Sequence, residues 1–137
     1  MTMKIEMTHN FPEAAEATIS DLKMALNASA EVVMTTSKRD FVPVVTGLLQ
    51  DSGTVLGVEQ QGDMVVARLG YGGAAYEYAL AVHEAPDTIP SGPRKGEVWG
   101  QGKNKYLSKP LYMLAPEIPR MMQKLMTAAV QRRKGVT

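Results

Sequence analysis

Cysteine is absent from this chain of 137 residues, which excludes a disulfide framework, a thiol nucleophile and thiolate-bound zinc or iron–sulfur sites. Histidine is nearly absent as well: His9 and His83 are the only two, too few for an all-histidine metal site within one chain. Neither sign of charge is in excess, with 15 Lys plus Arg against 14 Asp plus Glu. No long-range field therefore favours nucleic acid or an anionic membrane, although a local basic patch is compatible with that balance. No apolar run approaches the length of a membrane span. Met1 to Asn10 alternates polar and apolar residues and contains Lys4, Glu6 and His9, so it has neither the apolar core nor the cleavage site of a signal peptide. The expectation is a soluble protein made in a cytoplasm, folded as one domain over 1–137, with enough chain to bury a core unaided by staples.

What is present organises into helix, hairpin, long loop and helix. Asn10-Phe11-Pro12-Glu13 has the form of a helix start, with Asn10 as cap, Pro12 in the first turn and Glu13 at the capping-box position. From there to about Ser37, Ala15, Ile19, Leu22, Leu26, Ala30 and Val33 recur every three or four residues and line one stripe, with Glu16, Lys23 and Glu31 off it. Burial on the protein's own sheet accounts for such a stripe; a coiled-coil contact with a partner is the alternative. Thr54 to Gln60 and Asp63 to Leu69, rich in Val and Leu and joined by Gln61-Gly62, predict a β-hairpin. Ala74 to His83 is ambiguous, since its alanines favour helix and its alternate Tyr76 and Tyr78 favour strand. Glu84 to Asn104, about 21 residues with Pro86, Pro90, Pro93 and four glycines, reads as a loop long enough to suggest function. A last helical region opens with Ser108 as cap and Pro110 in the first turn. Pro116 and Pro119 predict a kink, or a short helix followed by another from about Glu117. Ile118, Met122, Leu125 and Ala129 form its stripe, and Arg132-Arg133-Lys134-Gly135 suits a helix C-terminus.

Few residues carry recognisable chemistry. His83 beside Glu84, with Asp87 nearby, raises the possibility of an acid–base pair or metal site, but neighbouring side chains diverge on a strand and on a helix alike. No second histidine stands at a zinc spacing, so His83 is expected at a surface or interface. Gly96 to Asn104 brings Gly and Lys together without the spacing of a phosphate-binding loop, and no serine sits in a nucleophile elbow. Arg94-Lys95 and Arg132-Arg133-Lys134 are short basic clusters without the interleaved aromatics of a base-stacking platform. Trp99, the sole tryptophan, lies in the polar, Gly-rich loop, a poor use of a large apolar ring unless the loop meets the core or another protein.

Pro43-x-x-Thr46-Gly47-x-Leu49-x-x-Ser52, then Tyr78-Ala79-Leu80-Ala81-Val82-His83-Glu84, then Tyr106-Leu107 with Pro110-Leu111, resemble in order and spacing the tail-completion and minor head–tail joining (neck) proteins of tailed bacteriophages. The resemblance runs over roughly 10 to 133. It departs at Val45, where the family often has a charged residue, at Gln50, where a basic residue is common, and in the longer, more proline-rich loop 84–104. It implies an α+β subunit, with a long N-terminal helix and a C-terminal helix packed on a small, mostly antiparallel sheet. It also implies a non-enzymatic virion protein without cofactor or metal, assembled in the host cytoplasm into a homo-oligomeric ring. The ring would be sixfold at a tail end or twelvefold near the portal, with other neck, connector and tail proteins as partners, possible non-specific contact with DNA in the channel, and no membrane contact.

On chemistry rather than resemblance, Ile89, Val98 and Trp99 beside Arg94 and Lys95 combine apolar anchors with a charged rim and are the candidate protein-interaction residues. The competing readings are a small metal-dependent hydrolase or nuclease using His83 and Glu84, and a nucleic-acid-binding module using the two basic clusters.

Overall fold

The computed structural model describes residues 1–8, 16–42, 47–72, 79, 83–84, 92–97 and 105–135. Its elements are strand β1 (Thr2–Thr8), helix α1 (Ile19–Thr36) running into a π-helical turn (Ser37–Phe41), short helix α2 (Leu48–Asp51), strands β2 (Thr54–Gln61) and β3 (Met64–Gly70), and helices α3 (Ser108–Leu114) and α4 (Ile118–Arg133). The fold is α+β. Its three strands are antiparallel in the order β1-β3-β2.

The hairpin forms as the sequence predicts, but its turn lies one residue later, at Gly62 and Asp63 between paired Gln61 and Met64 instead of at Gln61 and Gly62. β3 is the central strand and sends Val65, Ala67 and Leu69 into the core, all fully buried. β1 was not foreseen as a strand. Its alternation is nevertheless a period-two signal: Met3, Ile5 and Met7 pack against the core while Thr2, Lys4 and Glu6 are exposed, as an edge strand with one wet face requires. The other edge, β2, carries a bulge between Val55 and Gly57, an irregularity that hinders further strand addition.

α1 begins later than its sequence suggests. Residues 16–18 are not helical, and the N-terminus is fixed by Thr18 and Asp21, which exchange side-chain and backbone hydrogen bonds at 3.1 and 2.9 Å as a capping box. The expected cap at Asn10 to Glu13, like Ala15, lies outside the described residues. Leu22, Leu26, Ala30 and Val33 are fully buried, whereas Ile19 is exposed: in the first turn of the real helix it sits beyond the edge of the sheet-facing stripe. α1 packs on β2 and β3 with one side and on α4 with another, so it is the central layer between sheet and C-terminal helix.

The long helix then loosens into the π-helical turn, where Val42 N–H donates to Ser37 O at 2.8 Å. Gly47 follows with φ +84°, a left-handed conformation that suits glycine, and Leu49 re-enters the core at 4% exposure. Gly53 is a close-approach position: a β-carbon there would stand 2.6 Å from the Tyr71 ring and 2.8 Å from Met34 Sδ.

The prolines of the last region divide it as expected, α3 ending at Leu114 and α4 starting at Ile118 with Pro119 in its first turn. Ile118, Met122 and Ala129 are buried, but Met126 fills the place expected for Leu125, which is only partly buried. Ser108 is not the cap of α3; Leu107 is, and no side chain caps that end. At the far end Arg133 pairs with Asp21 at 2.7 Å and Lys134 with Glu16 at 2.7 Å, tying the last turn of α4 to the start of α1.

If the stripe of α1 supports the fold as described, Leu22→Ala costs about 2–5 kcal/mol of unfolding free energy while Lys23→Ala stays within about 0.5 kcal/mol. Denaturant titration of the two variants measures the difference, and equal losses contradict the packing.

Candidate functional site

The densest polar cluster among the described residues lies where the middle of the chain meets α3. Ser37, in the π-helical turn, donates its single hydroxyl proton to Tyr106 O at 2.6 Å, because a carbonyl can only accept. The contact of Ser37 Oγ with the Tyr71 hydroxyl at 2.7 Å is therefore donated by Tyr71. Burial pushes the Tyr71 phenol up to about 12, and a hydroxyl that donates its proton to Ser37 has no donor to stabilise its phenolate. Tyr106 in turn donates its hydroxyl to Ala79 O at 2.6 Å. Its ring stands edge-on to Tyr71 at 4.9 Å and to His83 at 5.1 Å, the geometry that aromatic quadrupoles favour.

His83 extends this network. It is 3% exposed, which corrects the expectation of a surface or interface residue: the Tyr106 ring and the first turn of α3 cover it. The expectation that His83 and Glu84 diverge is corrected as well. Nδ1 lies 3.0 Å from Glu84 Oε1, because the long Glu84 side chain folds back across the divergence of the two Cα–Cβ directions. On the other side of the ring, Nε2 lies 3.0 Å from Ser108 Oγ and 3.3 Å from the Ser108 amide, which donates to it. A carboxylate opposite Nδ1 and an amide donor opposite Nε2 fix the neutral tautomer with its proton on Nδ1. Burial pulls the His83 pKa down, against the opposing effect of Glu84. Glu84 is itself held below the ordinary carboxylate range by its bond from Lys105 and then by His83.

Lys105 secures the segment twice. Its ammonium pairs with Glu84, and its amide donates to His83 O at 2.8 Å. It does so from a left-handed backbone, φ 52°, a conformation uncommon outside glycine.

Ser108, His83 and Glu84 thus form a hydrogen-bonded line with the connectivity of a serine–histidine–carboxylate relay. Such a line can move a proton from Ser108 Oγ to Nε2. Two features oppose that use: the ring is sealed from solvent, and its only free lone pair already receives the Ser108 amide. The same contacts describe a clamp joining 83–84 to 105–108. Ser108, taken from sequence as a helix cap, carries no sequence signal for this role, because its partner lies 25 residues away.

Of the residues proposed for protein contact, Arg94 and Lys95 are exposed in the turn Gly92 to Glu97, where Arg94 pairs with Glu97 at 2.6 Å. Ile89, Val98 and Trp99 lie outside the described residues, as do Asp87 and His9. Among the described residues no three His, Asp or Glu side chains gather as a metal cluster, and no helix is long and apolar enough to cross a membrane. Among the described residues the larger exposed apolar side chains are Ile19, Met24, Val32, Leu48, Leu56, Tyr112 and Met113. They are spread over α1, α2, β2 and α3, and Ile19 alone among them belongs to a stripe for which the sequence allows a partner contact.

The His83 clamp gives the stability a definite pH dependence. His83 has a folded pKa below its ordinary 6.5, so below pH 6.5 the unfolded chain takes up the proton first and stability falls with pH until the folded-state pKa is passed. Between pH 7 and 5 the wild type is expected to lose stability, and His83→Gln to show a flatter profile. Parallel profiles in urea titrations contradict the assignment. Asp21, whose pKa is lowered because the Thr18 amide and Arg133 outweigh the opposing effect of burial, contributes only at more acid pH.

Comparison with protein-family models, with curated proteins and with solved structures finds no match to this chain.

Proposed function

We propose that the protein is a structural component of the head–tail connector of a tailed bacteriophage, a neck or tail-completion subunit that works by closing into a ring. The observation that carries the proposal is the order and spacing of the three segments that resemble that family, together with the structural use of the described parts of each. Gly47 makes the turn and Leu49 the core contact that the first segment needs. Ala79 and His83 of the second meet Tyr106 of the third in one buried network. Tyr106, Leu107 and Pro110 are all buried where the last helical region starts. These residues serve as joints of a rigid subunit rather than as an open reaction site, and the apolar side chains left exposed on several elements suit a protein that contacts neighbours on more than one side. Virion location, ring symmetry of six or twelve, and neck, connector and tail proteins as partners belong to this proposal.

Deleting the gene from a phage that encodes it is expected to leave filled heads and tails that do not join, with joining restored by added protein. Particles that join normally without it contradict the proposal. Within the same assay Trp99→Ala is expected to fold but to lose about 2 kcal/mol or more of association, the scale of an interface hot spot. Normal joining by this variant removes Trp99 from the interface without touching the neck reading.

A hydrolase is the second reading, favoured by the Ser108–His83–Glu84 line, with Ser108 rather than a metal-bound water as nucleophile. A fluorophosphonate ester separates the two. The connector reading expects no covalent label, whereas labelling of Ser108 that disappears in both Ser108→Ala and His83→Gln favours the hydrolase.

A further inference from the structure

α1 and α4 do not close completely on each other. Along their outer seam runs a groove of about 400 Å³ lined by Ala28, Ser29, Val32, Met121, Lys124 and Leu125. Its lining is apolar apart from Ser29, whose hydroxyl is occupied by Ala25 O at 2.9 Å, and Lys124. Val32 is 41% exposed there. Lys124 makes no ion pair with any described residue, and α4 contains no acidic residue that could serve it.

Elsewhere on the same chain the converse feature occurs. Tyr112 and Met113, on the outer side of α3, are 72% and 55% exposed. Their neighbours Pro110 and Leu111 anchor the helix in the core, so the pair is an exposed apolar step on a fixed base. Neither Tyr112 nor Met113 lines the groove. An apolar groove and a separate set of protruding, exposed apolar side chains on one chain are what a head-to-tail contact needs, since a heterologous interface uses two different patches and closes into a ring when the rotation permits.

We propose that the α1–α4 groove receives Tyr112 and Met113 of a second copy of this chain, and that this contact propagates around the ring. It rests on the connector reading for the ring, and names the surfaces that form it. The chemistry matches side by side. The Tyr112 ring offers its negative face to the unpaired Lys124 ammonium, an attraction that strengthens as water is excluded. The Met113 thioether, flexible and polarizable, fills the irregular space between Val32 and Leu125. Both partners are otherwise apolar groups standing in water.

The absence of cysteine makes the test clean. Met113→Cys and Val32→Cys are purified separately, mixed and oxidised, with Glu6→Cys, on the outer face of the sheet, as the control partner. The expected product is a mixed 113–32 disulfide with little cross-linking to the control, and the double variant is expected to give a ladder whose highest rung counts the ring. Tyr112→Ala is expected to keep the wild-type melting temperature and to weaken association about thirtyfold, the loss typical of a hot spot. The proposal is overturned by rings that form without the mixed disulfide, by 113–113 or 32–32 dimers in its place, by a Tyr112→Ala variant that assembles at wild-type concentrations, or by a wild type that stays monomeric throughout. A ladder from a protein that fails to join heads to tails leaves the contact standing and overturns the connector reading instead. Rings that join heads to tails without the disulfide do the reverse.

Discussion

The hydroxyl of Ser37 has one proton to give, and most of the long-range organisation of this fold depends on where it goes. Donated to Tyr106 O, it obliges Tyr71 to donate in turn to Ser37, so the end of α1, the end of β3 and the approach to α3 meet at one atom. The site is sealed, with Tyr71, Tyr106 and Ser37 each no more than 1% exposed. Loss of either partner would leave a buried polar group unpaired at a cost of about 1–3 kcal/mol, more than the bond itself contributes on balance. That asymmetry makes the node a specification of geometry as much as a source of stability. The π-helical turn is the local consequence: the helix widens where Ser37 leaves the regular pattern and faces the core.

From that node the two C-terminal helices are held at two separated places. Tyr106, through Ala79 O, and His83, through Ser108, fasten the start of α3. About 35 Å of helix would be free to swing if nothing held the other end, by the rise of about 1.5 Å per residue over the 7 residues of α3 and the 16 of α4. The apolar seam of α1 with α4 and the Asp21–Arg133 pair prevent this. Asp21 is only slightly exposed and serves the capping box as well, so this ion pair is worth more than the exposed pairs Lys4–Glu6 and Arg120–Glu117, which solvent screens to about 0–1 kcal/mol. A chain fixed at both ends holds its α3 surface and its α1–α4 groove at constant spacing, which the proposed ring contact would require.

The hairpin, the division of α3 from α4 and the buried stripe of α1 were legible in the sequence, because each depends on residues close in the chain: a turn between two β-branched runs, prolines that stop a helix, an apolar repeat of three and four. β1 was legible in principle from the alternation of Met3, Ile5 and Met7 with Lys4 and Glu6, a period-two signal too short to separate an edge strand from an irregular terminus. The start of α1 lies later than the apolar stripe suggests because residues 16–18 are not helical and the helix is capped by the reciprocal bonds of Thr18 with Asp21, a local pair that an apolar repeat does not reveal. The His83 site was the least legible. Its burial is conferred by Tyr106 and its partner Ser108 comes from the far side of the long loop, so no spacing rule connects them. The exposed step of Tyr112 and Met113 was hidden for a similar reason, since which side of α3 faces water is decided by where Leu107 and Leu111 dock.

The central claim is that a subunit made rigid by these buried joints assembles through repeated contacts into a closed ring. Negative-stain imaging of the purified protein, over a range of concentrations and with isolated heads or tails added, tests it most directly. The account predicts annular particles with a single subunit number. Monomers or open, irregular aggregates under all of these conditions would contradict it.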